Sequence, residues 1–95
     1  MVDEHLKIEV AELNDDIRER LSISQGGVVV IDINDGPAMR AGIRKGDVIV
    51  SVNNKKIDGA KHFMALVKDL PDDRAIPFLV QRNQNAIFLA LRIKE

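Results

Sequence analysis

The first regular pattern along the chain is an alternation. Leu6, Ile8 and Val10 are apolar and Lys7 and Glu9 polar, as in a strand with one buried face. Asn14-Asp15-Asp16 follows as a helix start, with Asn14 placed to cap free N–H groups and the aspartates at the positive end of the dipole. Ile17 and Leu21, four apart, give this short helix one apolar side, and Gln25-Gly26-Gly27 breaks the chain. The β-branched run Val28-Val29-Val30-Ile31-Asp32-Ile33 is the strongest strand signal.

After the turn Asn34-Asp35-Gly36, Pro37 and Gly42 bracket one helical turn. Lys45-Gly46-Asp47 is a tight turn, Val48 to Val52 a buried strand, and Asn53-Asn54 a two-residue hairpin turn leading to a short strand at Lys56-Ile57. Residues 60–70 form the main helix, closed by Pro71. It carries two apolar stripes: Phe63, Leu66 and Leu70 form one, and Ala60, Met64 and Val67 the other. A helix lying on a core needs only one. Residues 76–82 and 86–93 are strands joined through Asn83-Gln84-Asn85. Pro77 belongs at a strand end or an edge. The last strand is apolar on both sides, with one side expected on the core and the other covered. Residues 1–5 are unpatterned and read as a flexible or added end, leaving residues 6–95 as the domain. Short strands joined by turns imply a mainly β fold, a small antiparallel barrel or sandwich of five to six strands capped by two helices.

Composition narrows the function. Ninety-five residues make one domain, and 14 basic against 15 acidic residues give a net charge of −1, which disfavours a general nucleic-acid or anionic-membrane binder. There is no cysteine, hence no disulfide framework, Cys-ligated zinc or thiol nucleophile. No apolar run approaches a membrane span or a signal peptide. Trp and Tyr are absent, so aromatic anchoring of a partner is unavailable. His5 and His62 lack partners at metal-ligand spacing, and Ser22, Ser24 and Ser51 lack a nucleophile-elbow context. His62 is expected on the solvated face of its helix. No catalytic residue, metal site or cofactor is expected.

The run Gly36-Pro37-Ala38-Met39-Arg40-Ala41-Gly42-Ile43-Arg44-Lys45-Gly46-Asp47-Val48-Ile49-Val50-Ser51-Val52-Asn53 resembles the signature stretch of PDZ domains. Residue types there follow from local physics: Gly42 ends a helical turn, Ile43 enters the core, Gly46 permits a bend and Asp47 can accept from amides in the turn. The opening run from Val10 to Arg18 and the closing hairpin from Val80 to Leu91 are similar to the circularly permuted PDZ domains of the HtrA (Deg) family of serine proteases.

The resemblance implies a groove between residues 6–10 and the main helix, in which an extended peptide, usually a free C-terminus, adds as a strand. Leu6, Lys7, Ile8, Glu9 and Val10 would form one side and Ala60, Met64 and Val67 the helix wall. The loop that holds the peptide carboxylate reads apolar-Gly-apolar in the family. Here it reads Leu6-Lys7-Ile8, so a glycine is replaced. Lys7 then either strains the loop, supplies a positive charge beside the carboxylate, or marks a groove for internal segments. The implied function is substrate recognition or regulation in a periplasmic or envelope serine protease, with peptides, unfolded-protein C-termini and the parent protease's own domains as partners. The alternatives are a structural domain with a closed or self-occupied groove that serves oligomer assembly, or a PDZ domain of another envelope protease or secretion component.

Overall fold

The computed structural model describes residues 1–93. Seven strands are found among them: β1 (Val2–Asp3), β2 (Ile8–Glu12), β3 (Val28–Ile33), β4 (Val48–Val52), β5 (Lys55–Lys56), β6 (Ile76–Arg82) and β7 (Asn85–Leu91). Three helices accompany them: α1 (Asp15–Leu21), α2 (Pro37–Ala41) and α3 (Ala60–Lys68). The strands pair antiparallel in the order β1-β2-β3-β4-β6-β7, with β5 on β4. The expected small, mainly β, antiparallel fold is present, with more strands and one more helix than the sequence pattern predicts. Within the described residues the sheet does not close, so β1 and β7 lie at its two edges. Register shifts at Glu9/Val10 and Ile49/Ser51 let it curl around one core.

Local chemistry explains the turns. Asn14 Oδ1 accepts from Ile17 N at 2.8 Å and caps α1. Asn53 and Asn54 both take positive φ, as do Asn83 and Gln84, which matches two-residue hairpins of the mirror-image type. Pro77 sits inside the sheet, although its ring forbids a ladder N–H. Its carbonyl accepts from Asn53 N at 2.8 Å, where β4 has already turned away, and Phe78 is the last β6 residue opposite β4. The missing donor therefore faces the end of a neighbour.

The core joins Leu6, Ile8 and Val10 to residues of β3, β4 and β6, with Phe63 and Phe78 the largest fully buried side chains. Two expectations are corrected. Residues 1–5 do not stand off as an unpatterned end, because Val2–Asp3 pairs with β2. The second face of β7 is not covered: Phe88 is 66% exposed, and Ala86 and Ala90 are exposed beside it.

One buried charge is held with care. Asp47 is 2% exposed, and its carboxylate accepts from Arg82 Nε at 2.9 Å, Arg82 Nη2 at 2.6 Å and Arg44 N at 2.9 Å. Arg82 Nη2 also donates to the Gly42 carbonyl at 2.8 Å. These bonds tie the turn before β4 to the end of β6. The hydrogen bonds to Asp47 hold the Arg82 guanidinium above its ordinary pKa. A raised arginine pKa keeps that contribution in place until pH rises through the raised value, so it is constant across neutral pH. Removing one partner strands the other charge. Arg82→Met is expected to lower unfolding free energy by about 3 kcal/mol, read from urea denaturation at pH 7. A loss below ~1 kcal/mol, the value of a surface pair, would show that the pair is solvent-screened.

Candidate functional site

The outer edge of β2 faces α3, and the chain leading into it forms a left-handed loop. Leu6, Ile8 and Val10 point into the core at 0%, 2% and 0% exposure. Lys7 between them is exposed and has φ 60°, a conformation that costs a residue with a Cβ about 1–2 kcal/mol. Two bonds fix the loop from behind: Asn34 N donates to the Lys7 carbonyl at 3.0 Å and Ala38 N to the Leu6 carbonyl at 3.4 Å. The Lys7 stem lies over Gly36, so close that a Cβ added there would fall 2.8 Å from Lys7 Cγ. The structure thus gives lysine the backbone shape that glycine would adopt freely.

The opposite wall is α3. Ala60 and Val67 are buried and Met64 is half-buried, packed against the same core cluster. Phe63 is fully buried, and Leu66 and Leu70 are half-buried. Both apolar stripes of α3 therefore touch the core. No side-chain cap comes from Gly59 before the helix. The Glu12 carboxylate at the end of β2 instead accepts from Ala60 N at 2.7 Å, fixing the distance between the two walls. The His62 side chain is 37% exposed, and its Nδ1 accepts from Asp58 N at 2.9 Å. A cleft of about 500 Å³ opens between Val10-Ala11-Glu12 and residues 58–62. A smaller polar cleft of about 170 Å³ involves Lys7, Ile8 and Glu9 with Asp3, Asp32 and Asn34.

The sequence-predicted residues Leu6, Lys7, Ile8, Glu9 and Val10 and residues Ala60, Met64 and Val67 lie on these two facing elements. Sequence reasoning missed Asp3, which is 6% exposed. Its Oδ1 accepts from Leu6 N at 2.8 Å and its carbonyl from Lys7 N at 2.9 Å. The one available signal was an Asp three residues before an apolar one, a spacing that suits a side chain closing a turn. Met1 exchanges both backbone bonds with Val10 at 2.8 Å each and lines the larger cleft.

A family profile described as PDZ domain matches residues 29–82. Among curated proteins, the chain is 39% identical over 90 residues to the "Probable periplasmic serine endoprotease DegP-like" of Pseudomonas fulva, covering 95% of this chain and 19% of the relative. It is 36% identical over 88 residues to the protein of the same name in Hahella chejuensis, covering 93% of this chain and 19% of that protein. The chain thus spans about a fifth of the length of these relatives. Among solved structures, "HtrA-type protease AlgW with decapeptide" superposes with TM-score 0.76 and 29% identity, over 92% of this chain and 27% of that one. An HtrA3 PDZ domain bound to a phage-derived ligand, at 19% identity, shares the fold with TM-score 0.75 over 92% of this chain and 81% of that one.

The left-handed lysine yields a stability prediction. Lys7→Gly is expected to raise unfolding free energy by about 1 kcal/mol, because glycine adopts this φ without a Cβ penalty. Denaturant unfolding reads it. An equal or larger loss would mean that the Lys7 stem contributes more through packing than its backbone costs.

Proposed function

The chain belongs to the PDZ domain family, and on that premise we propose that it is a non-catalytic peptide-binding domain that recognises substrate or regulates activity in a periplasmic serine endoprotease of the HtrA type. An extended peptide would run antiparallel to β2, its side chains alternating between the α3 wall and solvent. Its terminal carboxylate would lie at the amides of Leu6, Lys7 and Ile8. The observation that carries this reading is the left-handed loop at Lys7, where two successive N–H groups, of Leu6 and Lys7, both donate to Asp3 just before β2. Lys7 adds a positive charge beside that point. The parent protease and its periplasmic setting are supported by the names and coverage of the relatives.

The groove chemistry fits weak, permissive recognition. Three or four strand hydrogen bonds contribute ~0.5–1.5 kcal/mol each. One or two aliphatic side chains against Val10, Ala60 and Met64 add ~1.5–3 kcal/mol each. Ordering the peptide offsets much of this sum, so affinity is micromolar or weaker, about −8 kcal/mol at the tightest. Met64 suits several side-chain shapes.

A second reading, a domain that docks on other parts of its own protease, is favoured by Phe88. It stands 66% exposed on the edge strand β7, opposite Leu79 of β6. Such a patch fits a protein contact better than solvent.

Titration with short peptides ending in Val, Leu, Ile or Phe, followed by amide NMR shifts, tests the first reading. Shifts are expected along residues 6–10 and 60–67, with affinity falling roughly tenfold when the terminal carboxylate is amidated, the loss of one charge-assisted contact. Shifts confined to β7 and α2 would favour the docking reading instead.

A further inference from the structure

The seat proposed for a ligand is already taken by the chain itself. Residues 1–3 run antiparallel along β2, with Val2 opposite Glu9 and Asp3 opposite Ile8. Met1 and Val10 exchange N–H···O bonds in both directions at 2.8 Å. This is the direction and register that an added peptide strand would take. At the loop, Asp3 supplies two oxygens to successive amides: Oδ1 to Leu6 N at 2.8 Å and the carbonyl to Lys7 N at 2.9 Å. A free C-terminal residue also presents two oxygens at one end of a strand. Asp3 is 6% exposed whereas Val2 is 54% exposed, so the alternation places Asp3 inward and Val2 outward, as for ligand residues in a groove. Met1, on the Asp3 side of that alternation, borders the cleft formed with Val10 and Ala60.

We infer that residues 1–3 are an internal ligand of the β2 edge, in which the Asp3 carboxylate takes the place of a peptide's terminal carboxylate, so that an incoming peptide binds only after displacing them. The inference rests on the peptide-binding reading above and adds its regulation. The apparent affinity of a peptide is then its intrinsic affinity reduced by the fraction of molecules whose edge is free. If that fraction is about one in ten, opening the edge tightens binding about tenfold. The internal ligand also defines a class of competitor: an extended segment carrying an apolar side chain two positions before an aspartate, with no chain terminus required.

The experiment titrates one fluorescein-labelled hexapeptide, ending in Val with a free carboxylate, into four chains by anisotropy. These are the original chain, Asp3→Ala, Asp3→Asn, and a chain from which residues 1–3 are deleted. Circular dichroism and urea unfolding establish that each is folded. Asp3→Ala and the deletion are expected to bind about tenfold tighter than the original, and Asp3→Asn, which keeps an acceptor oxygen for Leu6 N, to lie between. In the original chain, peptide addition should also free the segment, seen as sharpened, random-coil-like NMR signals for Val2 and Asp3. Equal affinity in all four chains overturns the inference and leaves the peptide-binding reading intact. Failure of the folded deletion chain to bind at millimolar concentration overturns the peptide-binding reading and the inference with it. If the deletion chain does not fold, the Asp3→Ala and Asp3→Asn affinities decide alone.

Discussion

Strand β2 divides its groups between two environments, and the site follows from that division. Its alternate side chains, with Leu6 just before it, are committed to the core. Its outward row of N–H and C=O groups cannot be satisfied by those side chains and must pair with water or another strand. Residues 1–3 pair with part of that edge, and helix α3 stands beside it. Helix α3 offers apolar side chains but no backbone partners, because its own are used internally. An edge flanked by such a wall suits one kind of occupant, an extended segment with small apolar side chains at every second position.

The remaining architecture keeps this edge and wall in place. Glu12 bridges the end of β2 to the first turn of α3, serving as a cap from outside the helix. The loop at Lys7 is held from behind by amides of Asn34 and Ala38. The Asp47–Arg82 pair, farther off, fixes the turn between α2 and β4 to the closing hairpin. Burial of Asp47 makes this pairing obligatory, since an unpaired carboxylate there would lack water and partner alike. The site is built from backbone shape, with few ionisable groups involved. This agrees with a chain poor in aromatic and nucleophilic side chains.

Much of this was legible in the sequence because it rests on local rules. The alternation through Val10, the run from Val28, the Pro37-to-Gly42 turn and the Asn53-Asn54 hairpin depend on residues near one another. The signature from Gly36 to Asn53 led to the family through the same local chemistry. What was not legible depends on distance. Asp47 was read as a turn residue, and its arginine lies 35 positions away. Glu12 caps a helix 48 positions on. Phe88 was expected to be covered, because alternation tells which residues share a face but not whether anything lies over it. The first residues looked unpatterned because a two-residue strand is too short for periodicity to register. Lys7 was readable as a departure from glycine. Its accommodation was not, since that depends on the space above Gly36.

The contact between Lys7 and Gly36 bears on how such a domain can change over time. Gly36 has an extended backbone that any residue can adopt, and the nearest obstacle to a side chain there is the lysine stem above it. A side chain at position 36 meets a collision while Lys7 remains, and meets none from that stem once position 7 is glycine. The two positions are therefore coupled: replacing the lysine removes the nearest obstacle to a side chain at position 36.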